Sequence, residues 1–379
     1  MSQNKTIYAD YAATTPLDKR VFLAMQPFLE TNFGNPNSIH ALGQKALVAI
    51  DYARDQVAKL INAEAGEIIF TPSATIANNL IISGLINNNK PHFITSSIEH
   101  PSILEVVNNL QKNKLIELDL ISPDKEGTIS ADEVLAKIKA NTIFVSIMMA
   151  NNETGTINNI ARLGKKIKAI NEARTSKIIF HTDAVQAVRS IKLDIKVLRV
   201  DALTLSAHKM YGPKGVGALY IHKDVKLEPL IFGGGQERGL MPGTQNTAAV
   251  VGMGEAAKIL QKELESDYQH DSELKEIIIN KLINYKLNGN LNNSLPGIIN
   301  LQFSKTEADI LTMKLDRAGL AVSSGSACAA GAIKKSYVLK EMGLSVKEID
   351  SSIRLSFGRF STKKEVLDLI QIIQKVAKN

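Results

Sequence analysis

The chain has 379 residues, 44% hydrophobic and 22% charged, a balance that fits a soluble globular protein long enough for two domains. No apolar run reaches about 18 residues, so no membrane span is expected, and the opening Met1–Asp10 lacks the apolar core of a secretory signal. The net charge is +7, but the lysines are scattered without a basic, aromatic-interleaved stripe, which argues for a solvated surface over direct nucleic-acid binding; steering toward acidic proteins or tRNA is the weaker option.

Apolar residues at helical spacing, Leu47, Ile50, Val57 and Leu60, predict a helix over 41–62. A strand over 67–71 follows, then a turn at 72–75 and a helix over 76–86. Further strands are predicted over 92–95, 142–149, 177–181, 201–206 and 216–222, with helices between them. One of those helices opens on Ser130-Ala-Asp-Glu133, which reads as a capping box. Such alternation implies an α/β fold, a mainly parallel sheet covered by helices on both faces. A long helical region from Asn246 to about Tyr285 leads into a smaller α+β part. There, strands are predicted over 297–303 and 352–357 and helices over 306–318 and 362–378, while 288–293 is an Asn-rich polar turn.

Candidate chemistry gathers at the ends of the predicted strands. Lys209 lies in Ser206-Ala-His-Lys209, just after one strand and before a glycine-rich turn. Desolvation at such a place lowers the pKa of an amine and favours Schiff-base chemistry. Asp183, in His181-Thr-Asp-Ala-Val-Gln186, ends another strand. A Schiff-base lysine with an acidic partner for a pyridinium nitrogen is the signature of a pyridoxal 5'-phosphate (PLP) enzyme. In that reading Asp183 keeps the ring nitrogen protonated and Gln186 meets the ring oxygen; the plainer reading makes Asp183 a helix N-cap.

A phosphate needs an anion site, and Ala74-Thr75 between strand and helix offers backbone N–H groups and a helix dipole, with Ser206 and His208 as further donors. No nucleotide-phosphate glycine motif competes. His100 precedes Pro101 at a helix start, as a cap or as a ring-stacking proton carrier. Asn152 ends a strand, and Arg354 lies inside one, where an arginine commonly grips a carboxylate by two bonds. No group with metal-ligand spacing appears. Cys328 is the only cysteine, so no internal disulfide can form and a cytoplasmic setting is expected. Its Ser-, Gly- and Ala-rich surroundings, Ser323–Gly331, read as a partly exposed loop suited to a nucleophilic thiolate, not a core thiol.

These motifs, with Asp10-Tyr-Ala-Ala-Thr-Thr-Pro16, Gly34-Asn-Pro-Asn-Ser38, Asn151-Asn-Glu153, Arg238-Gly239, Gly243-Thr244 and Ser323-Ser-Gly-Ser-Ala-Cys328, resemble the cysteine desulfurases over essentially the whole chain. Those are fold type I PLP-dependent enzymes of the class V aminotransferase-like family. The resemblance implies a large PLP-binding domain, 15–255, with a mainly parallel seven-stranded sheet. It also implies a small α+β domain, 1–14 with 256–379, that carries the cysteine loop. It implies that L-cysteine becomes L-alanine with sulfur left on Cys328 as a persulfide. Lys209 would form the Schiff base and act as base on Cα, His100 would stack on the ring and serve as acid and base for the thiols, and Asn152 and Arg354 would hold the substrate carboxylate. Thr244 would reach the phosphate of the neighbouring subunit's cofactor, which implies a homodimer. Sulfur acceptors would be iron–sulfur scaffold proteins or tRNA-thiolation enzymes. A selenocysteine lyase, another class V PLP enzyme and a non-catalytic sulfur-assembly subunit are the rivals. This chain departs from the family pattern at Ser73, Ile76 and Met241, and it ends soon after its last helix, without the tail some members use to dock a scaffold protein.

Overall fold

The computed structural model describes residues 6–86, 89–303, 307–324 and 335–376. The chain opens with β1 (Ile7–Tyr8), α1 (Lys19–Glu30) and α2 (Ala41–Ile61). α2 buries Ala46, Ile50, Ala53 and Val57 on one face and stops at Asn62, which takes a left-handed conformation that frees its N–H for the last carbonyls. Next come β2 (Ile68–Thr71), α3 (Ala74–Ser83), β3 (His92–Ser96), α4 (Pro101–Lys112), β4 (Glu117–Ile121), α5 (Ala131–Ala136) and β5 (Thr142–Ser146). They are followed by α6 (Ile160–Glu172), β6 (Ile179–Asp183), α7 (Ile195–Leu198), β7 (Ala202–Ser206) and β8 (Gly217–Ile221).

These strands form a seven-stranded sheet in the order β2-β8-β7-β6-β5-β3-β4. β8 runs antiparallel to both neighbours and the remaining pairs are parallel, so the expected mainly parallel sheet is present. Helices cover it, and strands such as β3 and β7 are buried along their whole length, which explains why they carry no charged residues. The strand of this sheet not predicted from the sequence is β4, an edge strand whose Glu117 and Asp119 interrupt the apolar pattern and of which only Ile121 is buried. The helix expected from Ile76 starts two residues earlier, because Ser73 caps it by accepting from the Ile76 N–H.

α8 (Thr247–Lys281) then leads to β9 (Lys286–Asn288), β10 (Ile298–Gln302), α9 (Ala308–Arg317), β11 (Leu320–Ala321), α10 (Tyr337–Glu341), α11 (Val346–Ile349), β12 (Ser352–Ser356) and α12 (Lys363–Val376). β12, β10 and β9 make a separate antiparallel sheet with its own core, including Leu301, Leu311, Leu315 and Leu369. β1 pairs in parallel with β11, so the start of the chain joins this smaller unit before crossing to the large one. The two units are tied by Arg189, which donates to Asp271 (2.6 Å) and to the Phe357 carbonyl (2.7 Å) in full burial.

Candidate active site

A cavity of about 380 Å³ opens at the carboxyl ends of β2, β3, β5, β6 and β7, the edge of an α/β sheet where ligands bind. It is lined by Lys209, Asp183, Gln186, Ala74, Thr75, Ser206, His208, His100, Asn152 and Arg354. Residues far apart in the chain are thus brought together because each follows or ends a strand of the same sheet, apart from Arg354, which reaches in from β12 of the smaller one.

Lys209 ends a single helical turn, Ala207–Lys209, directly after β7. Its Nζ donates to the carbonyls of Ala12 and Ala13, the latter at 2.7 Å, so the N-terminal segment holds the amine inside the cavity. Gln186 Nε2 donates to the same Ala12 carbonyl at 2.9 Å. Asp183 ends β6; its Oδ1 accepts from Val185 N–H and its Oδ2 from Asn78 Nδ2, both at 2.9 Å. No helix begins at Asp183, so it caps a turn and not a helix. Behind it, buried His181 links Ser146 of β5 (2.8 Å) to Thr204 of β7 (3.0 Å) and fixes the spacing of three strand ends. Burial pushes the His181 imidazole down to about 3, so it serves there as a neutral bridge.

The anion side is built on β2 and α3. Ser73 caps α3, and Ala74 and Thr75 line the cavity at the helix start. Gly217 of β8 pairs with Thr71 on one side and with Ser206 on the other. A Cβ at Gly217 would stand 2.8 Å from the Ala74 nitrogen, so this turn rests directly on glycine backbone. His208 is pushed down to about 4, mainly by burial and further by Lys209 and Lys214, and its Nδ1 lies 3.2 Å from Thr14 Oγ1.

His100 caps α4 and also lines the cavity. Its Nδ1 meets Ser102 Oγ (2.8 Å) and accepts from Ser102 N–H (3.1 Å). Burial lowers its pKa, Asp183 opposes that and Lys209 adds to it. Next to it Glu99 is fully buried and pushed up to about 8 by burial, a carboxyl that accepts from Ser96 Oγ (2.7 Å) and Met148 N–H (2.8 Å).

Arg354, 2% exposed, donates through Nη2 to Asp10 (2.8 Å) and through Nη1 to the Asn152 carbonyl (2.9 Å). Among the described residues, its Nε and the Asn152 Oδ1 are buried without hydrogen-bond partners. Arg354 lines the cavity, and a planar guanidinium there is suited to a carboxylate. Thr244 lies in an exposed turn and is not among the cavity residues. Cys328 falls outside the described residues. Sequence reasoning missed Asn78 and Ser102, which lie inside helices without a motif, and missed the carbonyls of Ala12 and Ala13 as partners of Lys209.

PLP fits this donor set. An amine on one wall, a carboxylate on another and a helix start with hydroxyls on a third match its aldehyde, ring nitrogen and phosphate.

The aminotransferase class-V family model matches residues 7–369. The chain is 40% identical to "Cysteine desulfurase IscS" of Dictyoglomus turgidum, covering 98% of this chain and 94% of that one. It is 39% identical to "Cysteine desulfurase IscS 1" of Archaeoglobus fulgidus, covering 97% and 96%. Among solved structures, a NifS-like protein from Rickettsia africae superposes with a TM-score of 0.87 at 30% identity, over 99% of this chain and 100% of the other. "SspA in complex with cysteine" superposes with a TM-score of 0.83 at 35% identity, over 94% and 100%.

Proposed function

The chain belongs to the class V aminotransferase family, among its PLP-dependent cysteine desulfurases, and from that premise we propose that its cavity takes L-cysteine and passes the sulfur to Cys328. The observation that carries this reading is the convergence of Lys209, Asp183, His100 and Arg354 on one cavity.

Bound PLP supplies an aldehyde that condenses with amines and a pyridinium that accepts the electron pair from Cα. Asp183 holds the proton on the pyridinium nitrogen, with Asn78 and Val185 fixing the carboxylate's direction. The α3 start and Ser206 and His208 hold the phosphate. Arg354 and Asn152, which both line the cavity, take the substrate carboxylate through guanidinium N–H and Asn152 Nδ2 donors. Lys209, released from carbonyl contacts with Ala12 and Ala13, removes the Cα proton. The Cys328 thiolate then attacks the substrate sulfur: an S–S bond forms, the C–S bond breaks, and L-cysteine plus enzyme thiol becomes L-alanine plus enzyme persulfide.

The active form is a homodimer. Apolar side chains stand exposed on and between the first two helices, among them Phe22, Leu23, Phe33 and Val48, a surface that a second copy covers. Exposed Thr244 is then available to the partner's cofactor. The large domain is 15–255, and 1–14 with 256–379 make the small one, whose own sheet packs a core of its own while Ile259, Leu295, Val338 and Leu339 join the core of the large one. Among the described residues no helix is long and apolar enough to cross a membrane. A working thiol calls for a reducing compartment, so we place the protein in the cytoplasm, delivering sulfur to an iron–sulfur scaffold or a tRNA-thiolation enzyme.

Cys328→Ser tests the sulfur step. The variant should keep its yellow colour and its spectral response to cysteine but release almost no alanine or sulfide. Wild-type protein, with one cysteine, should gain a single labelled persulfide per chain. A serine variant that desulfurates at the wild-type rate would sink the persulfide route.

A further inference from the structure

We propose that His100 acts as a neutral hydrogen-bond donor through Nε2–H and not as a general base, because Ser102 and Asn78 hold its Nδ1 as an acceptor. The argument starts at Asp183, whose carboxylate can only accept. Asn78, fully buried on α3, must therefore turn its amide nitrogen toward Asp183 Oδ2 (2.9 Å), and the same nitrogen donates to Ser102 Oγ (2.8 Å). Ser102 Oγ, having accepted from Asn78, gives its own hydrogen to His100 Nδ1 (2.8 Å). The backbone N–H of Ser102 points at the same Nδ1 (3.1 Å), and a backbone donor cannot be turned around. Two donors aimed at Nδ1 leave no room for a proton there, so the imidazole carries its proton on Nε2.

Protonating this ring fully would set an Nδ1–H against the Ser102 N–H, which disfavours imidazolium. Burial acts in the same direction. The charged groups facing the ring are Asp183 at the end of β6 and Lys209 after β7, with opposite effects, while the Glu99 carboxyl is turned to Ser96 and Met148. A histidine held neutral in this way cannot take a proton at Nδ1. It can donate from Nε2–H to a developing anion, an electrophilic role known from other enzymes with a neutral histidine. Resting on the desulfurase reading, that anion is the deprotonated substrate sulfur, which keeps its charge as the outer sulfur of the persulfide while the C–S bond pair leaves with carbon, and the thiol protons are handled by other groups. Asn78 and Ser102 are positioning residues that connect the ring-nitrogen partner Asp183 to His100.

The test is nitrogen NMR of histidine-labelled holoenzyme, the His100 signal being the one of seven histidines lost in His100→Gln. At pH 7 it should show Nε2 protonated and Nδ1 bare. Ser102→Ala, which deletes one of the two donors, should raise the midpoint of His100 protonation by about one pH unit. In turnover, His100→Gln keeps an N–H donor and should lie at least roughly tenfold above His100→Ala, whereas removing a base would disable both equally. An Nδ1–H tautomer, an imidazolium at pH 7, or equal loss in the two His100 variants overturns the proposal. Wild-type protein that frees no alanine from cysteine would instead remove the desulfurase reading, and the tautomer would still be decided by the NMR signal.

Discussion

Gly217→Ala probes the contact between the sheet and the phosphate turn without touching a polar group. The added Cβ would meet the Ala74 nitrogen and the Ser73 carbonyl carbon at 2.8 Å and the Leu205 oxygen at 2.9 Å. All three are backbone atoms, so no side chain can rotate out of the way. β8 cannot slide either, since Gly217 is paired with Thr71 and with Ser206 at once. Relief must come from moving the Ser73–Thr75 turn away from Ser206 by several tenths of an ångström. Overpacking of this sort costs about 1–3 kcal/mol. If the bound phosphate needs the undisplaced turn, the same energy appears in cofactor affinity as a roughly 5- to 150-fold rise in the PLP dissociation constant. Absorbance titration of the apo-variant with PLP measures it, and thermal unfolding of the same samples reports the part borne by the fold. A lowered Tm with PLP affinity within twofold of wild type would show that the turn does not hold the phosphate.

Arg354→Lys should raise KM for cysteine about 10- to 100-fold with a smaller change in kcat, because an ammonium cannot keep the Asp10 and Asn152 contacts and also present a planar fork to a carboxylate; unchanged KM would make Arg354 a purely structural tie. Asp183→Ala should cut kcat by roughly 100-fold or more while PLP stays bound, seen by comparing turnover with cofactor content, and near-normal turnover would reduce Asp183 to a turn cap. Asp18 is held down at about 2, first by Arg20 and further by Arg359. Its folded pKa is below its ordinary value, so its contribution is present above about pH 4 and lost as pH falls toward 2. Asp18→Asn should therefore lower Tm at pH 6 and flatten the fall in Tm between pH 4 and 2; parallel curves for the two proteins would contradict the pairing.

The large sheet and most of its strand ends were legible because buried parallel strands are written as apolar runs and reactive groups follow them directly. Lys209 and Asp183 carry that signal in the sequence. β4 does not, since an edge strand alternates with charged residues. Asn78 and Ser102 lie in helices where nothing local tells which face meets the cavity. The significance of Gly217 depends on register with two strands, one more than a hundred residues upstream, and pairing register is a property of the folded sheet. Arg354 was recognisable as an arginine in a strand, but its tie to Asp10 joins opposite ends of the chain.

That long tie has a consequence for biosynthesis. Asp10 and Arg354 are 344 residues apart, and the Ala12 and Ala13 carbonyls that hold Lys209 lie beside the earlier of them. A ribosome adding about 5–20 residues per second needs roughly 20–70 s to make that interval. For most of it the nascent N-terminal segment lacks β11, its partner strand, and throughout it lacks Ser356, its later bridge. The large sheet can form meanwhile, but the wall that receives an amino acid is completed only when the last tenth of the chain emerges. A nascent chain stalled before Arg354 could carry the anion turn and Lys209 and still lack the carboxylate grip, so substrate recognition is the final property this protein acquires.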